Sequence, residues 1–139
     1  MSIFIDTSVF VAYINKRDSS HDRAVHLLED IMGGKYGRAY TSDYIFDEAV
    51  TFSLLKTKDV KKALDVGKLI LGDGNLPRFT DILFVDRGVF NKAWEIFLKY
   101  GRLSFTDCTS IALMSEYEIR YIASFDSGFD GVVIRLPEY

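Results

Sequence analysis

Short runs of consecutive apolar residues, separated by longer amphipathic stretches, constrain the fold of this chain more than any other feature. The runs fall at residues 3–5, 82–85, 121–123 and 132–134, with a weaker one near 39–41. Apolar runs this short suit strands buried on both faces of a sheet. Between them, residues 20–32, 42–56, 59–71, 86–100 and 106–118 carry apolar side chains at helical spacing, and a further short helix is expected after Thr7. Strands alternating with helices predict an α/β protein, a three-layer α/β/α sandwich around a mostly parallel central sheet of four to five strands.

Nothing divides the sequence into parts. There is no repeat, low-complexity tract or Ser/Pro-rich linker, and turn chemistry is confined to Gly33–Gly37 and Gly72–Pro77. Residues 1–139 are therefore expected to form one domain. The lone Cys108 offers no internal disulfide, and one thiol with two histidines gives no zinc-ligand spacing. The apolar N-terminus is interrupted by Asp6, lacks a basic leader and is too short to span a bilayer, so a cytoplasmic protein with no membrane association is expected. Seventeen Lys and Arg against twenty Asp and Glu leave a net charge of −3, which argues against broad binding of nucleic acid through phosphate neutralisation. Any nucleic acid must meet a local basic patch or a bound metal.

Ligands of open parallel sheets bind outside the carboxyl ends of the strands, so the acids at those ends carry the functional question. The first strand runs into Asp6-Thr7-Ser8, where Asp6 either serves chemistry or caps the next helix. The strand at 121–123 leads through Ser124 and Phe125 to Asp126, which either joins the same site or makes an Asx turn before Gly128. Glu48 shares a helix face with Ile45, Ala49 and Phe52, so a carboxylate stands in or at the edge of an apolar stripe; buried there, it needs a cation, hydrogen bonds or a raised pKa. Asp107 opens the helix at 106–118 in line with Ile111 and Met114, and an acid in a first turn also complements the helix dipole. Taken together, carboxylates converging on one strand-end crevice repel one another unless neutralised, and an all-oxygen site suits Mg²⁺ or Mn²⁺. Such an ion activates water and stabilises charge on a phosphate during in-line displacement.

These segments resemble the PIN-domain nucleases, particularly the short kind found as VapC-type toxins of toxin–antitoxin pairs and in related prokaryotic PIN proteins. The likeness spans nearly the whole chain. It is carried, in order, by Ile3-Phe4-Ile5-Asp6-Thr7-Ser8, by Glu48 on the third helix, by Leu103-Ser104-Phe105-Thr106-Asp107 and by Ser124-Phe125-Asp126-Ser127-Gly128-Phe129. The resemblance implies that Asp6, Glu48, Asp107 and Asp126 ligate Mg²⁺ or Mn²⁺ and activate the attacking water, with Ser8 and Thr106 supporting them. It also implies a single-stranded or loop RNA substrate cut endonucleolytically, a homodimer and an antitoxin partner. Cys108 and Thr109 depart from the pattern, which is often richer in alanine there.

Other readings are weaker. A haloacid-dehalogenase-type phosphatase needs a second Asp two residues after the first, where this chain has Ser8. A receiver domain could find a phosphoacceptor in Asp86 but lacks a lysine after the last strand. A catalytically silent PIN-fold module that binds RNA or protein is the remaining alternative. Lys58, Lys61, Lys62 and Lys68 could line one helix face, yet a solvated surface is the commoner origin of such a run. Tyr13, Tyr44 and Phe46 read as packing residues before base-stacking ones, and His21 and His26 as structural or surface residues.

Overall fold

The computed structural model of the protein describes residues 1–73 and 75–138; Gly74, within the turn expected at 72–77, and Tyr139 lie outside the described residues. Chain order is β1 (Ser2–Ile5), α1 (Thr7–Ile14), α2 (His21–Met32), β2 (Arg38–Ser42), α3 (Asp43–Thr57), α4 (Val60–Leu71), β3 (Asp81–Leu83), α5 (Arg87–Tyr100), α6 (Phe105–Glu116), β4 (Tyr121–Ala123), a 3₁₀ turn (Ser127–Phe129) and β5 (Ile134–Leu136). The five strands form one sheet in the order β3-β2-β1-β4-β5, and every pairing is parallel.

Ile3, Phe4 and Ile5 of the central strand are all fully buried. Successive strand residues point to opposite faces, so both faces of the sheet are covered, as the expected sandwich requires. Phe10 of α1, Leu28 of α2, Ile45 of α3, Ile70 of α4, Leu113 of α6 and Phe129 of the 3₁₀ turn complete the core at zero or near-zero exposure. Burial of a Phe or Leu side chain stabilises by roughly 1.5–3 kcal/mol, so this cluster is the main source of the fold's stability.

Two strands differ from expectation in extent, and in each case a competing hydrogen bond explains why. β3 stops at Leu83 because the amide of Val85 bonds Asp43 Oδ1 at 3.1 Å and Asp86 turns to cap α5. β5 begins only at Ile134, because the amides of Val132 and Val133 fold back onto the carbonyl of Phe129 at 3.1 and 3.2 Å. A third difference concerns α3. Its buried ridge is Ile45, Ala49 and Ser53, while Phe52, expected with the apolar stripe, is 47% exposed. Glu48 and Phe52 therefore belong to the neighbouring ridge, at the stripe's edge.

The strand order reverses at β1, from which the chain proceeds to β2 and β3 on one side and to β4 and β5 on the other. Such a switch point leaves a crevice beyond the carboxyl ends of the two strands that flank it. Here those are β1 and β4, pinned at the rim by the amide of Asp6 bonding the carbonyl of Ala123 at 3.0 Å.

Candidate metal centre

A cleft of about 630 Å³ opens at this switch point. Asp6, Thr7 and Ser8 enter it from the β1–α1 junction, Glu48, Phe52 and Lys56 from α3, Ser104 and Asp107 from the start of α6, and Phe125 and Asp126 from beyond β4. All four acids singled out in the sequence thus line one cavity, although more than a hundred residues separate Asp6 from Asp126.

Each acid has one carboxylate oxygen held by the protein. Asp6 Oδ2 accepts the Ser124 hydroxyl at 2.7 Å and the Ser8 hydroxyl at 3.1 Å. Glu48 Oε1 accepts the Thr7 hydroxyl at 2.7 Å. Asp107 Oδ2 accepts the Ser104 amide at 3.1 Å while Ser104 Oγ accepts the Asp107 amide at 3.0 Å, a capping box that starts α6. Asp126 Oδ1 accepts the Gly128 amide at 2.8 Å. Among the described residues the second oxygens, Asp6 Oδ1, Glu48 Oε2, Asp107 Oδ1 and Asp126 Oδ2, bond nothing, and Asp6 Oδ1 is buried in that state. Ionised carboxylates accept several hydrogen bonds, so a buried oxygen without one calls for a ligand.

Electrostatics point the same way. Burial pushes Asp6 up to about 7, against the Ser124 and Ser8 hydroxyls that favour its charged form, and the charges of Asp107 and Glu48 push it further. Asp107 is also raised, first by burial, then by Asp126 and Glu48 against its Ser104 bonds. The cleft therefore holds mutually repelling carboxylates, partly desolvated, and a cation relieves both penalties.

The donor set fits a hard divalent ion. All free donors are carboxylate oxygens, the chemistry that Mg²⁺ and Mn²⁺ prefer. Among the described residues no three acidic, histidine or cysteine side chains stand in an arrangement that by itself could hold a metal ion. Mg²⁺ is commonly bound through one or two carboxylates, with waters and substrate phosphates completing its shell.

The supporting hydroxyls differ partly from those expected. Ser8 does hold Asp6, and it also accepts the Phe125 amide at 3.0 Å, tying the two strand ends together. The Thr106 hydroxyl bonds none of the four acids among the described residues; its carbonyl instead accepts the hydroxyls of Thr109 and Ser110 at 2.6 and 3.3 Å. The hydroxyls that reach the acids or their amides are those of Thr7, Ser8, Ser104 and Ser124. Their signal in the sequence is adjacency: Thr7 and Ser8 follow Asp6, while Ser104 and Ser124 stand three and two residues before an acid. The loop bearing Asp126 is braced from behind, by Arg135 paired with Asp130 at 2.7 Å and bonded to the Ser124 carbonyl at 3.2 Å, and by Arg102 on the Gly128 carbonyl. Asp130 thus braces this loop from the surface. Tyr13 and Phe46 pack on the core as expected, and His21 Nδ1 bonds the Ala12 carbonyl at 2.8 Å, a structural role.

Comparison with known proteins gives concordant results. A profile of the PIN domain matches residues 3–134. The VapC ribonuclease of Archaeoglobus fulgidus is 30% identical over 132 residues, 93% of this chain and 80% of the relative. The crystal structure of VapC20 from Mycobacterium tuberculosis, described as a Sarcin-Ricin loop cleaving toxin, superposes with a TM-score of 0.78 at 26% identity, over 91% of this chain and 92% of that one. VapBC2 from Rickettsia felis, solved with a DNA fragment from its promoter, shares the fold at a TM-score of 0.65 and 14% identity, over 97% of each chain.

Proposed function

The chain belongs to the PIN domain family, and from that premise we propose that it is a metal-dependent endoribonuclease, the toxin of a toxin–antitoxin pair, acting on single-stranded or loop RNA in the cytoplasm. The observation that carries this reading is the set of four carboxylates, each fixed through one oxygen and free at the other, around the buried Asp6 Oδ1.

Asp6, Glu48, Asp107 and Asp126 would hold Mg²⁺ or Mn²⁺, and the ion would supply Lewis-acid activation of water and compensation for charge on the phosphate. The chain's own contribution is order. Ser124 and Ser8 fix one edge of Asp6, Thr7 fixes Glu48, and the capping box fixes Asp107 at the start of α6, so the free oxygens are set before substrate arrives. Hydrogen bonds that orient ligating groups typically matter tenfold to a hundredfold for metal affinity or activity.

Two partners complete the proposal. An antitoxin protein restrains the cleft, in keeping with the likeness to VapC proteins. A second copy of the chain pairs across α5, whose Phe90, Trp94 and Leu98 recur at i, i+4 and i+8 and are 47%, 51% and 65% exposed. Contiguous exposed apolar surface of this kind commonly marks an interface. No helix among the described residues is long and apolar enough to cross a membrane.

The test is cleavage of a mixed pool of structured and single-stranded RNA by purified protein with Mg²⁺ or Mn²⁺, beside EDTA. Metal-dependent cutting that Asp107→Asn abolishes is expected. Uncut RNA under every condition would overturn the proposal in favour of a silent binding module.

A further inference from the structure

Glu48, Phe52 and Lys56 fall at i, i+4 and i+8 of α3 and form one ridge, and all three line the acidic cleft. At about 1.5 Å per residue the ridge carries the cleft some ~12 Å along the helix axis, from an acid through an aromatic to a cation. Beyond Lys56 a second cleft of about 780 Å³ shares Asp18, Ser19 and Lys56 with the first and adds Arg17 and Lys62. The two clefts are therefore one continuous groove, acidic at the switch point and lined by three cations at its far end.

Resting on the nuclease reading, we propose that this groove is the track for the RNA strand flanking the scissile bond: Phe52 stacks an unpaired base, and Lys56, with Arg17 and Lys62, takes the adjoining phosphates. Phe52 is half exposed and lines the cleft, where an unpaired base can reach its ring. Lys56 Nζ lies 5.5 Å from the ring centroid, which brings the two recognition elements together. Its one ion pair, with Asp18 at 3.8 Å, is long, and the lysine side chain is 46% exposed. Such a pair contributes little, so the ammonium is free to turn to a phosphate. Two acids share the far end with these cations, Asp18 bonded by the Ser20 amide at 2.8 Å and Asp59 by the Lys61 amide at 2.9 Å, so three cations stand against two carboxylates there. In a chain of net charge −3, that local positive excess is what the groove offers to a phosphate. Stacking on Phe52 requires a base out of its duplex, so the groove selects single-stranded or loop RNA.

The proposal is tested by fluorescence anisotropy of a short labelled single-stranded RNA, with Ca²⁺ in place of Mg²⁺, across a salt series. Phe52→Ala is expected to weaken binding about tenfold, from the loss of one base–aromatic stack, with the salt slope unchanged. Phe52→Trp restores affinity. Lys56→Gln lowers the slope of log K against log salt by about 0.7, the value for one phosphate contact on a single strand. In cleavage assays with Mg²⁺ both substitutions raise KM and leave kcat in place. Unchanged affinity, slope and KM in both variants would overturn the track while leaving the nuclease intact. Weakened binding in a protein that never cuts RNA would leave the groove as an RNA-binding surface and overturn both the nuclease and the track to a scissile bond. A shift of Phe52→Ala in oligomeric mass, without loss of RNA affinity, would assign the ridge to protein contact and overturn the proposal.

Discussion

Asp6 occupies the N-cap position of α1 but its side chain bonds no amide of that helix, so the capping role that its place in the sequence allowed is not the one it fills. Asp107 and Asp126 each bind an amide of their own turn with one oxygen and still line the cleft. A single-residue reading could not separate cap from proposed ligand, because at these two positions the turn-forming acid is also the cleft-lining one. The buried state of Asp6 has a measurable consequence. Between its ordinary value of 3.8 and about 7, the folded chain keeps a proton on Asp6 that the unfolded chain has released, so metal-free stability falls as pH rises through that window. Asp6→Asn is expected to flatten that slope and to raise metal-free stability above the window by up to roughly 4 kcal/mol. Urea unfolding in EDTA across the window checks this; a wild-type slope retained in the variant would contradict it. Thr7→Val, which frees Glu48 Oε1, is expected to weaken Mn²⁺ binding by about tenfold to a hundredfold in calorimetry. Unaltered affinity would remove Thr7 from the account.

At the scale of elements, the parallel α/β order was legible because apolar runs and amphipathic stretches alternate cleanly, and the strand ends pointed to Asp6 and Asp126. What escaped was set by hydrogen bonds that leave no periodic trace. The start of β5 depends on where Val132 and Val133 bond, and the end of β3 on an aspartate on α3. In α3 the apolar pattern leaves two adjacent ridges unseparated, so Phe52 reads with the apolar stripe, whereas the structure sets it with Glu48 and Lys56 on the cleft-lining ridge. No periodic pattern gives Ser104 a role, yet it starts α6 and positions Asp107. Ser104→Ala is expected to lower stability by about 1 kcal/mol as a lost N-cap and to reduce cleavage, since Asp107 loses a partner that fixes its turn. Denaturant unfolding and turnover measured together test this; lost stability with full activity would separate the cap from the site. Cys108 and Thr109, the departures from the family pattern, are both fully buried, and the Thr109 hydroxyl is satisfied by the Thr106 carbonyl, so α6 accommodates them without an orphaned polar group.

Across the whole molecule, the order β3-β2-β1-β4-β5 does what no single segment does, bringing the ends of β1 and β4 side by side and the acids of α3 and α6 over them. The same architecture leaves α5 with an apolar outer face. Trp94→Glu is expected to convert a dimer to a monomer in light scattering with the fold retained; a wild type that is monomeric over a wide concentration range would contradict dimerisation through α5. The central claim is that four carboxylates, held by the protein through one oxygen each, share a catalytic divalent ion. Its most direct test is calorimetric titration of Mn²⁺ into the wild type and into Asp6→Asn, Glu48→Gln, Asp107→Asn and Asp126→Asn, each checked for folding. Saturable binding in the wild type, weakened in every variant in step with its loss of RNA cleavage, is the expected result. Equal Mn²⁺ affinity in wild type and folded variants, or RNA cleavage that survives all four substitutions, would contradict it.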